Sequence, residues 1–264
     1  MANSLTTRPT AIVTGGALRG IGRSCAIAIA QSGFNVLVND LVIDEDAASY
    51  RQLVLEIGKS GAESMFFACD VADLEQHTRL IEAAALRWGR IDCLVNNAGV
   101  GVAKRGDLLE VTSESFDRCI RVNTKAVFFL SQAAARHMLE QGEIRGQHRS
   151  IINITSSNAV AVSTSRGEYC VSKCASSMTT RLFGVRLAAE GIGVYEVRPG
   201  IIDTEMTRPV KDKYDALIAD SVPARRWGFP VDVASAVCSM AAGRLLYTVG
   251  QAVTVDGGLT VPRF

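Results

Sequence analysis

Tyr169 and Lys173 are the two residues whose types and spacing point most directly to chemistry. They are four positions apart in a stretch with helical periodicity, so a helix would project both side chains from one face. A tyrosine hydroxyl has a pKa of about 10 and is a poor base at neutral pH. A neighbouring ammonium group favours the phenolate and lowers that pKa. The pair therefore indicates general acid/base catalysis at an oxygen atom of a small substrate.

A glycine-rich segment near the start of the chain could bind a ligand that carries phosphate. Gly15, Gly16, Gly20 and Gly22 lie between a β-branched run and an amphipathic run. At a strand-to-helix turn, glycines let the main chain approach a pyrophosphate at the helix N-terminus. Asp40 follows eighteen residues after Gly22, close to the position where an acid accepts hydrogen bonds from an adenosine ribose. Together the two signals predict a bound dinucleotide.

Asp40 and Arg19 give opposite indications about which dinucleotide binds. A carboxylate at Asp40 would bind the ribose hydroxyls of NAD and repel the 2′-phosphate of NADP. The Arg19 guanidinium could pair with that phosphate, although an Arg19 that faces solvent is the alternative. Because Asp40 would lie nearer to the discriminating hydroxyl, we predict NAD as the cofactor and keep NADP as the alternative.

Short apolar runs alternate with longer amphipathic stretches along the whole chain. The runs predict strands at 10–14, 35–39, 65–68, 91–95, 150–154, 194–197 and 252–255, and the stretches predict helices at 21–31, 46–59, 74–88, 112–138 and 167–190. This alternation is typical of right-handed βαβ units, and no linker rich in Pro or Ser interrupts it. We therefore predict a single α/β domain over residues 1–264, a Rossmann-type doubly wound fold with a seven-stranded parallel sheet and helices on both faces.

Residues 200–229 form the one long stretch without a clear pattern, and they are rich in charge. A connection of this length is often functional, so we predict that this segment, the lid, covers the substrate.

The composition limits the classes of partner. The 264 residues are 48% hydrophobic and carry a net charge of +1, so no overall field attracts nucleic acid or an anionic membrane. The N-terminal residues do not resemble a secretory signal and no apolar stretch reaches about 18 residues, so we expect a cytoplasmic protein. The seven cysteines have no His or carboxylate at zinc-ligand spacing, so we expect no metal site. His77, His137 and His148 match no motif and are predicted to be solvated.

Further motifs resemble those of the short-chain dehydrogenase/reductase superfamily. Tyr169-Cys-Val-Ser-Lys173 resembles its Tyr-x-x-x-Lys motif, and Ser156 precedes Tyr169 by the thirteen residues usual in the family. The segment from Asn96 to Gly99 resembles its Asn-Asn-Ala-Gly motif, and Asn123 falls in its Val-Asn motif. The resemblance extends over residues 10–260. It is strongest to members like the bacterial 3-oxoacyl-(acyl carrier protein) reductases.

The resemblance implies a role for each motif residue. Tyr169 would be the acid/base, Lys173 would also bind the nicotinamide ribose, and Ser156 would polarise the substrate oxygen. Asn123 would interrupt its helix and position a water of the proton relay. The glycine segment has one residue more than the family pattern when counted from Thr14, and counting from Gly16 restores the spacing. The implied cofactor site comprises Gly16, Arg19, Gly20, Ile21, Gly22, Asp40, Asp70, Val71, Asn97, Ala98, Gly99, Tyr169, Lys173, Pro199, Gly200, Ile202 and Thr204.

Three functions stay open at this point. The resemblance favours a reductase of 3-oxoacyl thioesters, and basic residues of the lid could attract an acyl carrier protein, although acidic residues interrupt them and a solvated loop is the alternative. Asp40 favours an NAD-dependent dehydrogenase of a sugar, a polyol or another small secondary alcohol. A catalytically silent nucleotide-binding regulator is the third, and the complete Asn, Ser, Tyr and Lys set argues against it. The resemblance also implies a homotetramer formed through 112–138 and 167–190.

Overall fold

A computed structural model describes residues 8–16, 19–42, 47–142, 144 and 146–263, and these residues are built around one parallel sheet. The strands are β1 (Thr10–Thr14), β2 (Asn35–Asp40), β3 (Ser64–Ala68), β4 (Cys93–Asn96), β5 (Arg149–Ile154), β6 (Ile192–Pro199) and β7 (Ala252–Val255). Their order in the sheet is β3-β2-β1-β4-β5-β6-β7. The order reverses between β1 and β4, and in sheets of this kind ligands bind at the carboxyl ends of the strands beside that reversal. The predicted fold class is confirmed.

Helices cover both faces of the sheet. They are α1 (Gly20–Gln31), α2 (Ala48–Gly58), α3 (Gln76–Trp88), α4 (Ser113–Ile120), α5 (Val127–Gln141), α6 (Gly167–Leu187), α7 (Lys211–Ser221) and α8 (Pro230–Ala241). Where the helix predicted at 46–59 begins, residues 43–46 lie outside the described part of the chain. None of the described helices combines the length and the apolar character needed to cross a membrane.

Two apolar layers hold these helices to the sheet. Successive residues of a strand point to opposite faces, so Ile12 packs in one layer while Ala11 and Val13 pack in the other. The layer of Ile12 also contains Leu80 and Trp88 of α3, Leu130 and Met138 of α5, and Leu187 of α6. The layer of Val13 contains Ile29 of α1, Leu53 and Ile57 of α2, and Val233 and Val237 of α8. Both layers are needed to bury a parallel sheet.

The helix predicted at 112–138 is interrupted. A π-helical turn, Arg121–Ala126, separates α4 from α5, and Asn123 lies within it. Thr112 caps the beginning of α4 by accepting a hydrogen bond from the main-chain N–H of Ser115. Turns of this kind occur mostly as single irregularities inside α-helices, frequently at functional sites. The interruption that the resemblance implied at Asn123 is therefore present.

The segment after β6 is more regular than the sequence indicated. Within 200–229 lies α7, which buries Tyr214 and Ile218 in a third apolar cluster together with Ile201 and Val222. The helix α8, which had not been predicted, follows directly. Pro230 opens its first turn, and Asp232 accepts a hydrogen bond from the main-chain N–H of Phe229 at 2.7 Å. Proline in the first turn with an acid close behind it is a start signal that could have been recognised.

Candidate active site

One cavity of about 750 Å³ opens at the carboxyl ends of the strands, and most of the predicted site residues line it. It begins beside the glycine segment after β1, passes the end of β4 and reaches the lid. Gly16 and Asn123 do not line it. The predicted residues that do are Arg19, Gly20, Ile21, Gly22, Asp40, Asp70, Val71, Asn97, Ala98, Gly99, Ser156, Tyr169, Lys173, Pro199, Gly200, Ile202 and Thr204.

Close approach of main chain to main chain explains the glycines between β1 and α1. Gly15 has a φ of +65° and lines the cavity, and a Cβ there would lie 2.6 Å from the Cα of Ala98. A Cβ on Gly16 would lie 2.6 Å from the carbonyl carbon of Gly22. A Cβ on Gly22 would lie 2.5 Å from Nδ2 of Asn97. The structure thus gives Gly15 the position at the cavity surface, while Gly16 packs against the first turn of α1.

Thr14 and Asn97 join the glycine segment to the end of β4. The Oγ1 of Thr14 accepts hydrogen bonds from the main-chain N–H groups of Asn97 and Ala98, each at 3.1 Å. The side-chain amide of Asn97 donates to the carbonyl groups of Thr14 and Gly15 at 2.9 and 2.7 Å. These bonds fix the floor of the cavity. The sequence analysis gave Thr14 no such role, although a hydroxyl residue that ends a buried strand before glycine is a recognisable signal.

The far end of the cavity contains the two residues that bear on cofactor choice. Asp40 is half-buried at the end of β2, and its Oδ1 accepts a hydrogen bond from the N–H of Leu41 at 2.9 Å. The Arg19 side chain is 67% exposed, and its Nη1 lies 3.9 Å from Oε2 of Glu205 in the lid. Glu205 partly neutralises Arg19, which weakens the case for Arg19 as a phosphate ligand. The sequence analysis did not foresee this pair, because it joins segments far apart in the chain.

Asp70 and Val71 line the cavity after β3 and are held from behind. Asp70 Oδ1 accepts a hydrogen bond from the N–H of Ala72 at 2.8 Å. The Nε2 of His77 lies 2.7 Å from the carbonyl oxygen of Val71, and His77 is buried. The prediction that His77 is solvated was wrong, and burial lowers the pKa of its ring. His137 and His148 are also partly buried, and burial likewise lowers their pKa values.

Ser156, Tyr169 and Lys173 meet at the middle of the cavity. Tyr169 and Lys173 lie one turn apart on α6, and the Nζ of Lys173 is 5.8 Å from the centroid of the Tyr169 ring. That Nζ donates a hydrogen bond to the carbonyl of Ile154 at 3.0 Å. Ser156 follows β5 and lines the same cavity, where its Oγ accepts a hydrogen bond from the main-chain N–H of Asn158 at 3.1 Å. All three side chains are buried among the described residues, so the site combines a hydroxyl, a phenol and an amine away from bulk water.

Asn123 lies behind this group and supports it. Its Oδ1 accepts from the N–H of Val100 at 2.8 Å, and its Nδ2 donates to the carbonyl of Val100 at 2.9 Å and to Oγ of Ser172 at 3.0 Å. A Cβ on Gly99 would lie 3.2 Å from Asn123 Oδ1 and 3.3 Å from Lys173 Nζ. Glycine at position 99 therefore leaves room for both side chains. Asn123 positions the wall of the cavity rather than lining it.

Burial dominates the acid/base properties of the site. It raises the pKa of Tyr169, while the hydrogen bond from Ser156 and the positive charge of Arg166 lower it. The sequence analysis expected Lys173 to lower that pKa, and the structure gives this effect to Ser156 and Arg166 instead. Burial lowers the pKa of Lys173 to about 8, because the ammonium ion loses its hydration. Lys173 thus keeps most of its charge at neutral pH.

Several lining residues that were not predicted as site residues lie where the cavity passes under the lid. Arg105, Arg166, Lys213 and Tyr214 line this part, together with Met206 and Leu217. Arg166 immediately precedes α6, and its Cζ lies 5.5 Å from the centroid of the Tyr169 ring. The position of Arg166 just before the helix with the Tyr-x-x-x-Lys motif could have indicated a site residue. The direction of the Arg166 side chain, however, depends on the loop around it.

Comparison with known proteins identifies the family. A family model described as enoyl-(acyl carrier protein) reductase matches residues 16–260. A 3-oxoacyl-(acyl carrier protein) reductase of Staphylococcus epidermidis is 32% identical over 250 residues, which cover 95% of this chain and 98% of the relative. The chain therefore belongs to the short-chain dehydrogenase/reductase superfamily, whose members are oxidoreductases acting on alcohol and carbonyl groups.

Two further relatives differ in the activity that their names record. A 3-oxoacyl-(acyl carrier protein) reductase of Brucella melitensis, solved in complex with NAD, is 40% identical with a TM-score of 0.92, and the match covers 98% of this chain and 99% of that one. A 2-dehydro-3-deoxy-D-gluconate 5-dehydrogenase of Dickeya dadantii is 30% identical over 241 residues, which cover 90% of each chain. Relatives of similar sequence identity are therefore named for different substrates, a 3-oxoacyl thioester in one case and a sugar acid in the other.

The residues of this chain fit the nicotinamide dinucleotide that the family uses. Gly15, Gly20 and Gly22 leave the space at the N-terminus of α1 free of side chains, and that helix end favours phosphate. Asp40 lies at the adenosine end of the cavity, and Lys173 lies at the catalytic end. The chain is accordingly an NAD(P)-dependent oxidoreductase.

Proposed function

We propose that this chain catalyses reversible hydride transfer between NAD and a secondary alcohol or ketone, with Tyr169 as the acid/base. The observation that carries the proposal is that Ser156, Tyr169 and Lys173 lie in the same cavity as the glycine segment. When bound, the nicotinamide ring supplies or accepts the hydride. Tyr169 gives a proton to the substrate oxygen in reduction and removes it in oxidation.

The other three residues assist Tyr169. Ser156, which lines the cavity after β5, would hydrogen-bond the substrate oxygen beside the phenol. Lys173 is held by the carbonyl of Ile154, and its ammonium group would bind the nicotinamide ribose. Asn123 is a positioning residue, since its side chain is hydrogen-bonded to Val100 and Ser172.

NAD rather than NADP is the proposed cofactor. Asp40 lines the adenosine end, where a 2′-phosphate would meet a carboxylate. Glu205 adds a second carboxylate near Arg19, the guanidinium that could have received the phosphate. Both features support NAD.

Two classes of substrate are supported by different observations. The names of the Staphylococcus and Brucella relatives support a 3-oxoacyl thioester. Asp40 supports a small secondary alcohol such as a sugar derivative or a polyol, since catabolic oxidation of alcohols uses NAD, and the name of the Dickeya relative agrees. For either class, we propose that residues 200–229 act as the lid.

An exposed apolar stripe supports the proposed homotetramer. Val171, Met178, Leu182 and Val185 lie on one side of α6 and are between 49% and 76% exposed. A side of a helix with this composition is normally covered by a partner. Light scattering at micromolar concentration should give four times the mass of the chain, and a monomeric mass would contradict this. The cytoplasmic location stays a prediction from the sequence.

The proposed activity is tested by a panel of alcohols and ketones assayed with NAD(H) and NADP(H). The panel includes a 3-oxoacyl thioester, polyols and sugar acids. We expect turnover of at least one pair with a preference for NAD(H), measured by absorbance of the reduced nicotinamide. Tight binding of NAD without turnover of any member would contradict the proposal.

A further inference from the structure

The part of the cavity beside Tyr169 contains an excess of positive charge. Arg105, Arg166 and Lys213 line it under the lid, and Glu205, the lining acid of the lid, lies within ion-pair distance of Arg19 and Arg208. Unlike Lys213, which is exposed, the two arginines are half-buried. Two guanidinium groups that have partly lost water favour a negative charge beside them.

Arg166 is the closer of the two to the reacting group. Its Cζ lies over the ring of Tyr169, and its positive charge acts on the phenol. Its Nε is buried and has no hydrogen-bond partner among the described residues. A buried donor without a partner costs about 1–3 kcal/mol, so an acceptor at this point would stabilise the site.

Arg105 reaches the same place from the loop after β4. Its Nη2 donates a hydrogen bond to the hydroxyl of Tyr214 at 3.0 Å, and its Cζ lies 5.6 Å from the centroid of that ring. The main-chain N–H of Gly106 donates to the carbonyl of Ser165 at 3.4 Å. Gly106 follows Arg105 and Ser165 precedes Arg166, so this bond holds the main chains of the two arginines side by side.

No carboxylate of the described residues forms an ion pair with Arg105 or Arg166, although nine such pairs occur elsewhere in that part of the chain. A planar guanidinium binds a carboxylate through two parallel hydrogen bonds. We propose that the substrate carries a carboxylate group, which Arg105 and Arg166 bind next to Tyr169. This inference rests on the proposed function and assigns its substrate class: a hydroxy acid and the corresponding oxo acid.

The position of the charges separates the two substrate classes left open above. The acyl chain of a 3-oxoacyl thioester has no negative charge near its reacting carbonyl group. Its anionic groups lie at the far end of the pantetheine arm, well away from Tyr169. A short oxo acid places a carboxylate within a few bonds of the reacting carbon, where Arg105 and Arg166 lie.

Binding measurements test this without turnover. Calorimetry would compare levulinate with its primary amide in the presence of NAD, and D-gluconate with D-glucitol in the presence of NADH. Neither combination can transfer a hydride. The ketones are paired with oxidised NAD, and the alcohols are paired with reduced NADH. We expect each acid to bind at least about tenfold more tightly than its neutral counterpart, the equivalent of one hydrogen bond to a charged group.

Variants assign the effect to the two arginines. Arg166→Gln and Arg105→Gln should each weaken binding of the acids by about tenfold or more and change binding of the neutral counterparts little. Arg166→Lys should recover only part of the loss, because lysine lacks the planar fork. Arg87→Gln, a matched change on α3 far from the cavity, should leave all four affinities unchanged.

The outcomes separate this inference from the proposed function. Equal binding of acid and neutral partner in both pairs, no measurable binding of either acid, or a preference that survives both Gln variants would overturn the carboxylate site. Failure of turnover with the binding preference intact would instead contradict the proposed function alone. A preference for a phosphate ester with none for the carboxylates would also overturn the site.

Discussion

The nucleotide end and the lid end of the cavity recognise their ligands in different ways. At the nucleotide end, main-chain groups, the buried Thr14 and the half-buried Asn97 set the geometry, through hydrogen bonds of 2.7–3.1 Å. At the lid end, exposed charged side chains predominate, and their ion pairs, such as Lys211 with Asp215, lie at the surface. Exposed pairs of this kind contribute little to stability. We therefore expect the main chain to contribute much of the cofactor binding, and the side chains of the lid end to select the substrate.

The largest effect should come from the residue at the boundary between the two ends. Tyr169→Phe retains the ring but removes the proton that reaches the substrate oxygen. We expect kcat to fall by at least about a hundredfold, the lower range of general acid/base contributions. Cofactor affinity, measured by calorimetry, should stay near that of the wild type. An active Phe variant would mean that another group transfers the proton.

Lys173→Ala provides the contrast to that variant. Lys173 is assigned to the nicotinamide ribose and lies one turn from Tyr169 on α6, so its removal should weaken NAD binding and turnover together. Calorimetry and steady-state kinetics measure the two effects separately. A loss of turnover with unchanged NAD affinity would show that the ribose contact is wrong.

Backbone recognition at the nucleotide end predicts a strong effect from one added methyl group. In Gly22→Ala the Cβ would lie 2.6 Å from the Cα of Gly16 and 2.7 Å from the carbonyl oxygen of Gly15, and neither can rotate away. Overpacking of this kind costs about 1–3 kcal/mol, so NAD affinity should fall about tenfold. Gly58→Ala is the matched control, because a Cβ there meets nothing within 4 Å. Equal NAD affinities for the two variants would contradict the proposed packing.

Asp40→Ser should reduce the preference for NAD over NADP. Removal of the carboxylate removes its repulsion of a 2′-phosphate, and we expect the ratio of kcat/KM values to fall by about tenfold, the effect of 1.4 kcal/mol. Arg19→Ala should barely affect the NAD reaction, because Arg19 is mostly exposed. A wild-type enzyme that prefers NADP would show that Asp40 does not contact the ribose.

The smallest expected effect is a change in the pH dependence of kcat/KM, caused by the action of Arg166 at the lid end on Tyr169. Ser156 and Arg166 lower the pKa of Tyr169, while burial, Tyr214 and Cys170 raise it. Arg166→Gln removes one of the lowering groups, so the pKa should rise. Oxidation needs the deprotonated phenol, so the acid limb of kcat/KM for alcohol oxidation should move to higher pH. Arg166→Lys should keep the limb near its original position, and an unmoved limb in the Gln variant would contradict the charge effect.

Much of the nucleotide end could be predicted because its determinants are local in the sequence. The strand β1 has the predicted bounds, because it is an apolar, β-branched run followed directly by glycine. Gly20, Gly22 and Asp40 occupy the predicted positions for the same reason. Gly15, and not Gly16, reaches the cavity surface, because Gly16 packs against Gly22.

The lid end could not be predicted in the same way. The helix α7 buries only Tyr214 and Ile218, which is too short a pattern to indicate a helix. In α8 the buried Val233, Val237 and Met240 follow a helical period, so this helix, unlike α7, could have been recognised in the sequence. The orientation of Arg166 depends on a contact between loops about sixty residues apart, Gly106 with Ser165. Pairings of that kind are not encoded in local spacing.

The π-helical turn at Asn123 determines how a residue can be inserted or deleted between α4 and α5. Such a turn accommodates one more residue than an α-helical turn, so it behaves as an absorbed insertion that leaves α4 and α5 in phase with the surfaces on which they pack. Here the carbonyl of Asn123 accepts a hydrogen bond from the Ser176 hydroxyl of α6, an acceptor that a regular helical turn would occupy internally. We therefore expect that deletion of one residue between 121 and 126 would leave the packing of α4 and α5 unchanged. The same deletion would remove the support that Asn123 gives to the group around Lys173. A change in the length of the lid would leave the support behind Lys173 intact.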